Sequence, residues 1–200
     1  MDNVLTIAEE RLNLFAHMAN SACGLSLWCF GMKKQLYTCT CPAEKEFRLF
    51  LDLGQCLDYA IAHGPESHAP ILMSDPIGML WVAECVWHGD DASYLVILGP
   101  VFDAAASLQT LQNCLRGMNL SVSLTATIME KLEQVPILPL STLHQYIKML
   151  HWVLYEETLD VGSIRLQNRS NIIPDKEESP SPWDPDRARA VSYTHLTLPT

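Results

Sequence analysis

Residues 79–87, MLWVAECVW, restrict the possible folds more than any other stretch of the chain. Side chains alternate across a strand, so Met79, Trp81, Ala83, Cys85 and Trp87 share one face, and Leu80, Val82, Glu84 and Val86 share the other. Both faces are largely apolar. A strand of this kind belongs near the middle of a sheet covered on both sides. HGDD at 88–91 supplies a hairpin turn, and SYLVILGPVF at 93–102 the return strand, which Gly99-Pro100 ends because proline cannot donate to a ladder.

The flanking sequence supplies the covers. Val4, Leu5, Ala8, Leu12, Phe15 and Met18 recur at three- and four-residue intervals and predict an amphipathic helix over about 4–20. GLSLWCF at 24–30 and KQLYTCT at 34–40 predict a hairpin, and one or two short helices follow over 44–63, stopped by Gly64-Pro65. PILMSD at 70–75 predicts a further strand that ends in a turn at DPIG. Beyond 106 the chain turns helical, with short helices over 107–119 and 124–135, a break at PILPL, and a long helix over 142–160. Thr142 and Gln145 have capping-box spacing for its start. The fold class is therefore α+β: about five antiparallel strands with covering helices, the layout of sensor domains of the PAS and GAF kind, followed by a C-terminal helical segment. The organisation expected is a sensor domain over 1–136, a long signalling and dimerisation helix within 137–165, a linker at 166–190 and a distinct tail at 191–200.

Charge narrows the partners. With 23 acidic against 13 basic residues the formal net charge is −10, which disfavours direct contact with phosphate backbones or anionic membranes. No run approaches the roughly 18 apolar residues of a spanning helix. Asp2, Glu9 and Glu10 sit where a secretory signal would be basic, so the expected location is cytoplasmic. Seven cysteines, an odd number at irregular spacing, then read as reduced thiols.

No phosphate-cradling glycine loop and no grouping of nucleophile, base and orienter is present, so an enzyme is not expected. Cys39 and Cys41, with Cys23 and Cys29 upstream, have the chemistry for zinc or a redox switch. The CxC spacing lacks the usual knuckle loop, and buried structural cysteine is the commoner outcome. No metal and no cofactor is expected. His144 and His151 lie seven apart on the long helix and invite a pH-sensing role, but solvated flanking positions are the favoured reading. Trp28, Tyr37, Trp81, Cys85 and Tyr94 fall on strands of one sheet and are the candidate lining of a small-molecule pocket; rings that fill the core are the competing explanation. Leu143, Ile147, Leu150 and Leu154 step by four, three and four, the spacing of a dimer seam, although a helix packed on its own domain would show the same stripe.

ILMSDPIGMLWVAECVW followed by YLVILGPVF, and later EKLEQVPILPLSTLHQYIKMLHWVLYEE, resemble the N-terminal half of AraC-type transcription regulators of Gram-positive bacteria over about residues 5–165. The resemblance implies a sensory and dimerising domain, a homodimer, and DNA contact only through a basic helix-turn-helix module located C-terminally. VSYTHLTLPT at 191–200 resembles the in-frame translation of a transposase sequencing adapter, which implies a gene cut within the linker. Alternative readings are the input domain of a sensor kinase or other receptor, and a thiol- or zinc-dependent binding protein.

Overall fold

A computed structural model describes residues 2–88, 91–104, 108–118 and 120–167. The tail at 191–200, the linker from 168 onward and the middle of the HGDD turn lie outside the described residues. One compact unit comprises Met1–Gln167.

The elements run α1 (Asp2–Cys23), β1 (Leu27–Gly31), β2 (Leu36–Cys39), α2 (Glu44–Leu53), α3 (Cys56–His63), β3 (Ile71–Ser74), β4 (Leu80–His88), β5 (Asp91–Val101), α4 (Leu108–Gly117), α5 (Val122–Leu132), α6 (Leu140–Tyr155) and β6 (Arg165–Leu166). The sheet order is β2-β1-β5-β4-β3-β6, antiparallel except where β6 runs parallel to β3. The fold is thus α+β as expected and compatible with a sensor-like layout, with six strands among the described residues in place of about five. As the alternation of 79–87 demands, β4 is interior: β5 and β3 flank it, Ala83 opposite Ile97 and Ile71.

Each face of the sheet has its own core. Trp28, Phe30, Met73, Met79, Trp81, Ala83, Cys85, Leu95 and Ile97 pack with Phe47, Phe50 and Leu51 of α2, Leu57 of α3, and Leu115 and Ile128 of α4 and α5. Leu27, Cys29, Val82, Val96 and Leu98 pack on the opposite side with Leu12, Phe15 and Ala19 of α1 and Leu143, Ile147 and Leu150 of α6. Each large side chain removed fully from water contributes about 1.5–3 kcal/mol, so both layers are needed to hold a sheet that is apolar on both sides.

Some boundaries differ from expectation for identifiable reasons. Helix α6 begins at Leu140, not at 142, and no side chain caps it. Pro139 carries φ −53°, and its carbonyl accepts from the N–H groups of Thr142 and Leu143, so the proline starts the helix without the Thr142–Gln145 box. Helix α5 starts two residues early because Ser121 caps it, accepting from Leu124 N–H at 3.3 Å. Strand β6 lies where the linker was expected to begin. It is held by Arg165, whose N–H donates to Pro70 O and whose guanidinium donates to the carbonyls of His63 and Ala69.

Gly99 is required where β5 crosses β4. Its φ is +135°, and a Cβ there would sit 2.9 Å from the Leu80 carbonyl oxygen. Gly99→Ala is expected to lower unfolding stability by about 2–4 kcal/mol, read as a shift in urea midpoint. A midpoint shift equivalent to less than about 0.5 kcal/mol, the usual scatter of surface changes, would remove the steric argument.

Candidate functional site

The sheet divides the five residues of the expected pocket between its faces. Trp28 and Trp81 are both wholly buried in the layer under α2–α5, and Cys85 joins them there. The indole N–H groups are occupied by the protein itself: Trp28 Nε1 donates to Gly99 O at 2.8 Å, and Trp81 Nε1 to Asp75 Oδ2 at 3.0 Å. The two rings meet edge to face with centroids 6.0 Å apart, and burial pushes the Cys85 thiol up to about 11. These three residues fill the core. Tyr37 and Tyr94 lie on the α1 side of the sheet, where with Glu9, Leu12, Asn13, Cys29 and Thr38 they line an open groove of about 460 Å³. Tyr37 is 61% exposed, while burial raises the Tyr94 hydroxyl to about 12.

Leu143, Ile147 and Leu150, three residues of the expected dimer seam, are fully buried against the sheet and α1 of their own chain, and Leu154 is partly buried beside them. That stripe is occupied within the domain. The apolar surface left over lies one step around the helices, where a groove of about 580 Å³ runs between α1 and α6. Leu14 and Met18 of α1 and Met149 and Trp152 of α6 line it, with Leu14 62% and Trp152 51% exposed. Met18 was expected within the buried stripe of α1 and instead faces this groove. Arg11, Lys148 and Glu157 complete the lining, and Arg11 also pairs with Glu156.

His151 is not on a solvated flank. It is almost entirely buried, and its Nδ1 hydrogen-bonds Glu84 Oε1, itself buried on the inner face of β4. Burial raises the Glu84 pKa, and the His151 bond and charge pull it back in part. Glu84 Oε2 has no hydrogen-bond partner among the described residues. One turn further along α6, the Tyr155 hydroxyl donates to the carbonyl of Cys85, and its ring packs on His151 and His68. Two adjacent residues of a central strand are therefore tied to one helix by polar bonds within an apolar layer. The sequence signal for this was available: Glu84 is the lone charge on a strand expected to be covered on both sides, and a buried charge needs a partner.

At the other edge of the sheet, Cys39 ends β2 and Cys41 follows it, both half-buried; all seven cysteines are free thiols. Among the described residues, no helix is long and apolar enough to cross a membrane. The chain matches no protein-family model, no curated protein and no solved structure.

Proposed function

We propose that residues 2–167 are the sensory and dimerisation domain of a cytoplasmic transcription regulator of the AraC type, a homodimer in which a C-terminal helix-turn-helix module contacts the DNA. One observation carries the reading. The outer face of α1 and α6 bears Leu14, Met18, Met149 and Trp152 around an apolar groove, on a chain otherwise strongly acidic. Exposed apolar clusters ringed by charge mark contact surfaces. Arg11 and Lys148 lie beside Glu157 on this face, so a second copy related by a two-fold axis meets opposite charges as well as apolar side chains.

The same helix supplies the route for a signal. The Glu84–His151 and Tyr155–Cys85 bonds couple α6 to β4, so a ligand that favours one packing of the sheet shifts the helix that also forms the dimer face. The groove beside Tyr37, Cys29 and Tyr94 is the place for a small-molecule ligand in this scheme. The net charge of −10 is compatible with DNA contact falling to another module.

Sedimentation velocity of the full chain tests the dimer. The wild type is expected to sediment as a dimer, and Met149→Asp or Trp152→Asp, both at exposed positions, to weaken association roughly 30-fold or more, the loss typical of an interface anchor. Ile147→Asp would be uninformative because Ile147 is fully buried and its substitution unfolds the domain. A wild-type monomer, or a dimer indifferent to both exposed substitutions, rules the arrangement out.

A further inference from the structure

The groove over the β2-β1-β5 end of the sheet has a lining whose chemistry selects among ligand classes. Leu12 is buried against the sheet and seats α1, while Glu9 and Asn13, one helical turn apart, flank it on the groove side. Facing them are Tyr37 and Thr38 of the edge strand β2, Cys29 of β1 and Tyr94 of β5. Gly31 lets the two tyrosines share the site. It pairs with Tyr94, and a Cβ there would overlap the Gln35 amide and stand 2.6 Å from the Tyr37 oxygen. The Gln35 amide donates to that same oxygen at 2.7 Å, which ties down the tip of a side chain that is otherwise largely exposed.

The electrostatics of the lining are one-sided. Among the described residues, Glu9 is the one charged side chain in it, and Glu9 makes no ion pair. Burial pushes the Cys29 thiol up to about 12, and burial, with Cys29 and Glu9 adding to it, does the same for the Tyr94 hydroxyl, so both stay neutral at pH 7. An anionic ligand meets the Glu9 carboxylate and no cation to offset it. A purely apolar ligand covers that carboxylate without giving it a partner, which is unfavourable. A cation gains twice, from the carboxylate by a charge-assisted bond and from tyrosine rings through their quadrupole. The volume of about 460 Å³ falls toward the small end of ligand sites, roughly 300–1,000 Å³, and suits a one-ring or short-chain body.

We propose, resting on the reading of this domain as a sensor, that the groove binds a small protonated organic amine, its ammonium group at Glu9 and its body against Tyr37 and Tyr94. Asn13 and Thr38 supply further acceptors for the ammonium hydrogens.

The test uses three probes of one shape on the full chain: phenethylamine, protonated at pH 7, neutral phenethyl alcohol, and the anion hydrocinnamate, with affinities read by calorimetry. The amine is expected to bind about tenfold more tightly than the alcohol, the product of roughly two- to fivefold from ring contact and a similar factor from an exposed carboxylate. Hydrocinnamate is expected to bind most weakly. Glu9→Gln should lower the preference for the amine to the ring contribution alone, about two- to fivefold, and Tyr37→Ala should reduce it by a similar factor. Both positions are exposed, and circular dichroism verifies that the variants fold. No binding of the amine, equal affinity for all three probes, or a preference for the anion overturns the proposal. So does a preference that survives Glu9→Gln, as binding beside Trp152 and Glu157 in the α1–α6 groove would give. The dimer is judged separately: a monomer that still selects the amine sinks the regulator arrangement and keeps the amine site, and a dimer that binds the three probes alike does the reverse.

Discussion

Asp75→Ala is expected to destabilise the domain by about 3–5 kcal/mol, a large part of the 5–15 kcal/mol that typically separates folded from unfolded states. Asp75 is fully buried at the turn that ends β3. Its Oδ1 accepts from the N–H groups of Ile77 and Met79, and its Oδ2 from the Trp81 indole, each at 3.0 Å. Removing the carboxylate strands these donors in the interior, at about 1–3 kcal/mol for each unsatisfied group. Asp75→Asn separates the bonds from simple volume. Its remaining oxygen can serve the two backbone donors, but its amide then faces the Trp81 N–H, donor against donor. Trp81→Phe is accordingly expected to cost about 1–2 kcal/mol less when combined with Asp75→Asn than when made alone. Urea unfolding followed by tryptophan fluorescence and circular dichroism measures all four corners of this cycle. Additive costs would show that the Trp81–Asp75 bond does not hold the turn.

What could be read in advance, and what could not, follows from how far apart in sequence the cooperating groups lie. The hairpin of β4 and β5 was legible because period-two alternation over 79–87 is a local property, and so was the turn after Ser74, where Asp-Pro-Ile-Gly has few other uses. The role of the Asp75 carboxylate was not, because one of its partners is a side chain on the next strand. Strand β6 is two residues long and carries no periodicity; backbone bonds from Arg165 to Pro70 and from Gln167 to Leu72, with the reach of the Arg165 guanidinium to His63 and Ala69, define it. The stripe Leu143, Ile147, Leu150 was visible, but a seven-residue pattern does not tell a helix bound to its own sheet from one bound to another chain. The groove went unseen for a related reason. Leu14, Met149 and Trp152 lie off the main stripes, and their adjacency exists only once α1 and α6 are side by side.

Glu84 and His151 are expected to be worth far more as partners than either is worth alone. They are 67 residues apart, both buried, and lie in a layer otherwise built from Val82, Val96, Leu98, Leu143 and Ile147. Glu84→Ala or His151→Ala should each cost about 3–5 kcal/mol, because the survivor is left buried without its hydrogen bond. Replacing both with apolar residues of similar volume, Glu84→Met with His151→Leu, should return stability to within about 1 kcal/mol of the wild type, since desolvation of the pair offsets most of its attraction. The pH dependence has a definite sign. Burial holds the Glu84 pKa above its ordinary value of 4.5, with His151 opposing only in part, so the folded state keeps a proton that the unfolded chain has already released. The contribution of Glu84 to stability is therefore greatest below the ordinary value and is lost as pH rises from there toward the folded-state value. In Glu84→Gln that slope should vanish, so the stability difference between variant and wild type changes steadily as pH rises from the ordinary carboxyl value toward the raised folded-state one. Tyr155 packs beside the pair, but its hydroxyl is pushed above the usual tyrosine range, mainly by burial, and stays protonated throughout. Urea midpoints of both proteins, taken from about pH 4.5, near the ordinary carboxyl value, upward through neutrality, decide the matter. Were the wild type instead to gain stability over Glu84→Gln as pH rises, the His151 attraction would outweigh burial, and α6 would be held to β4 by a charged pair rather than by a protonated carboxyl.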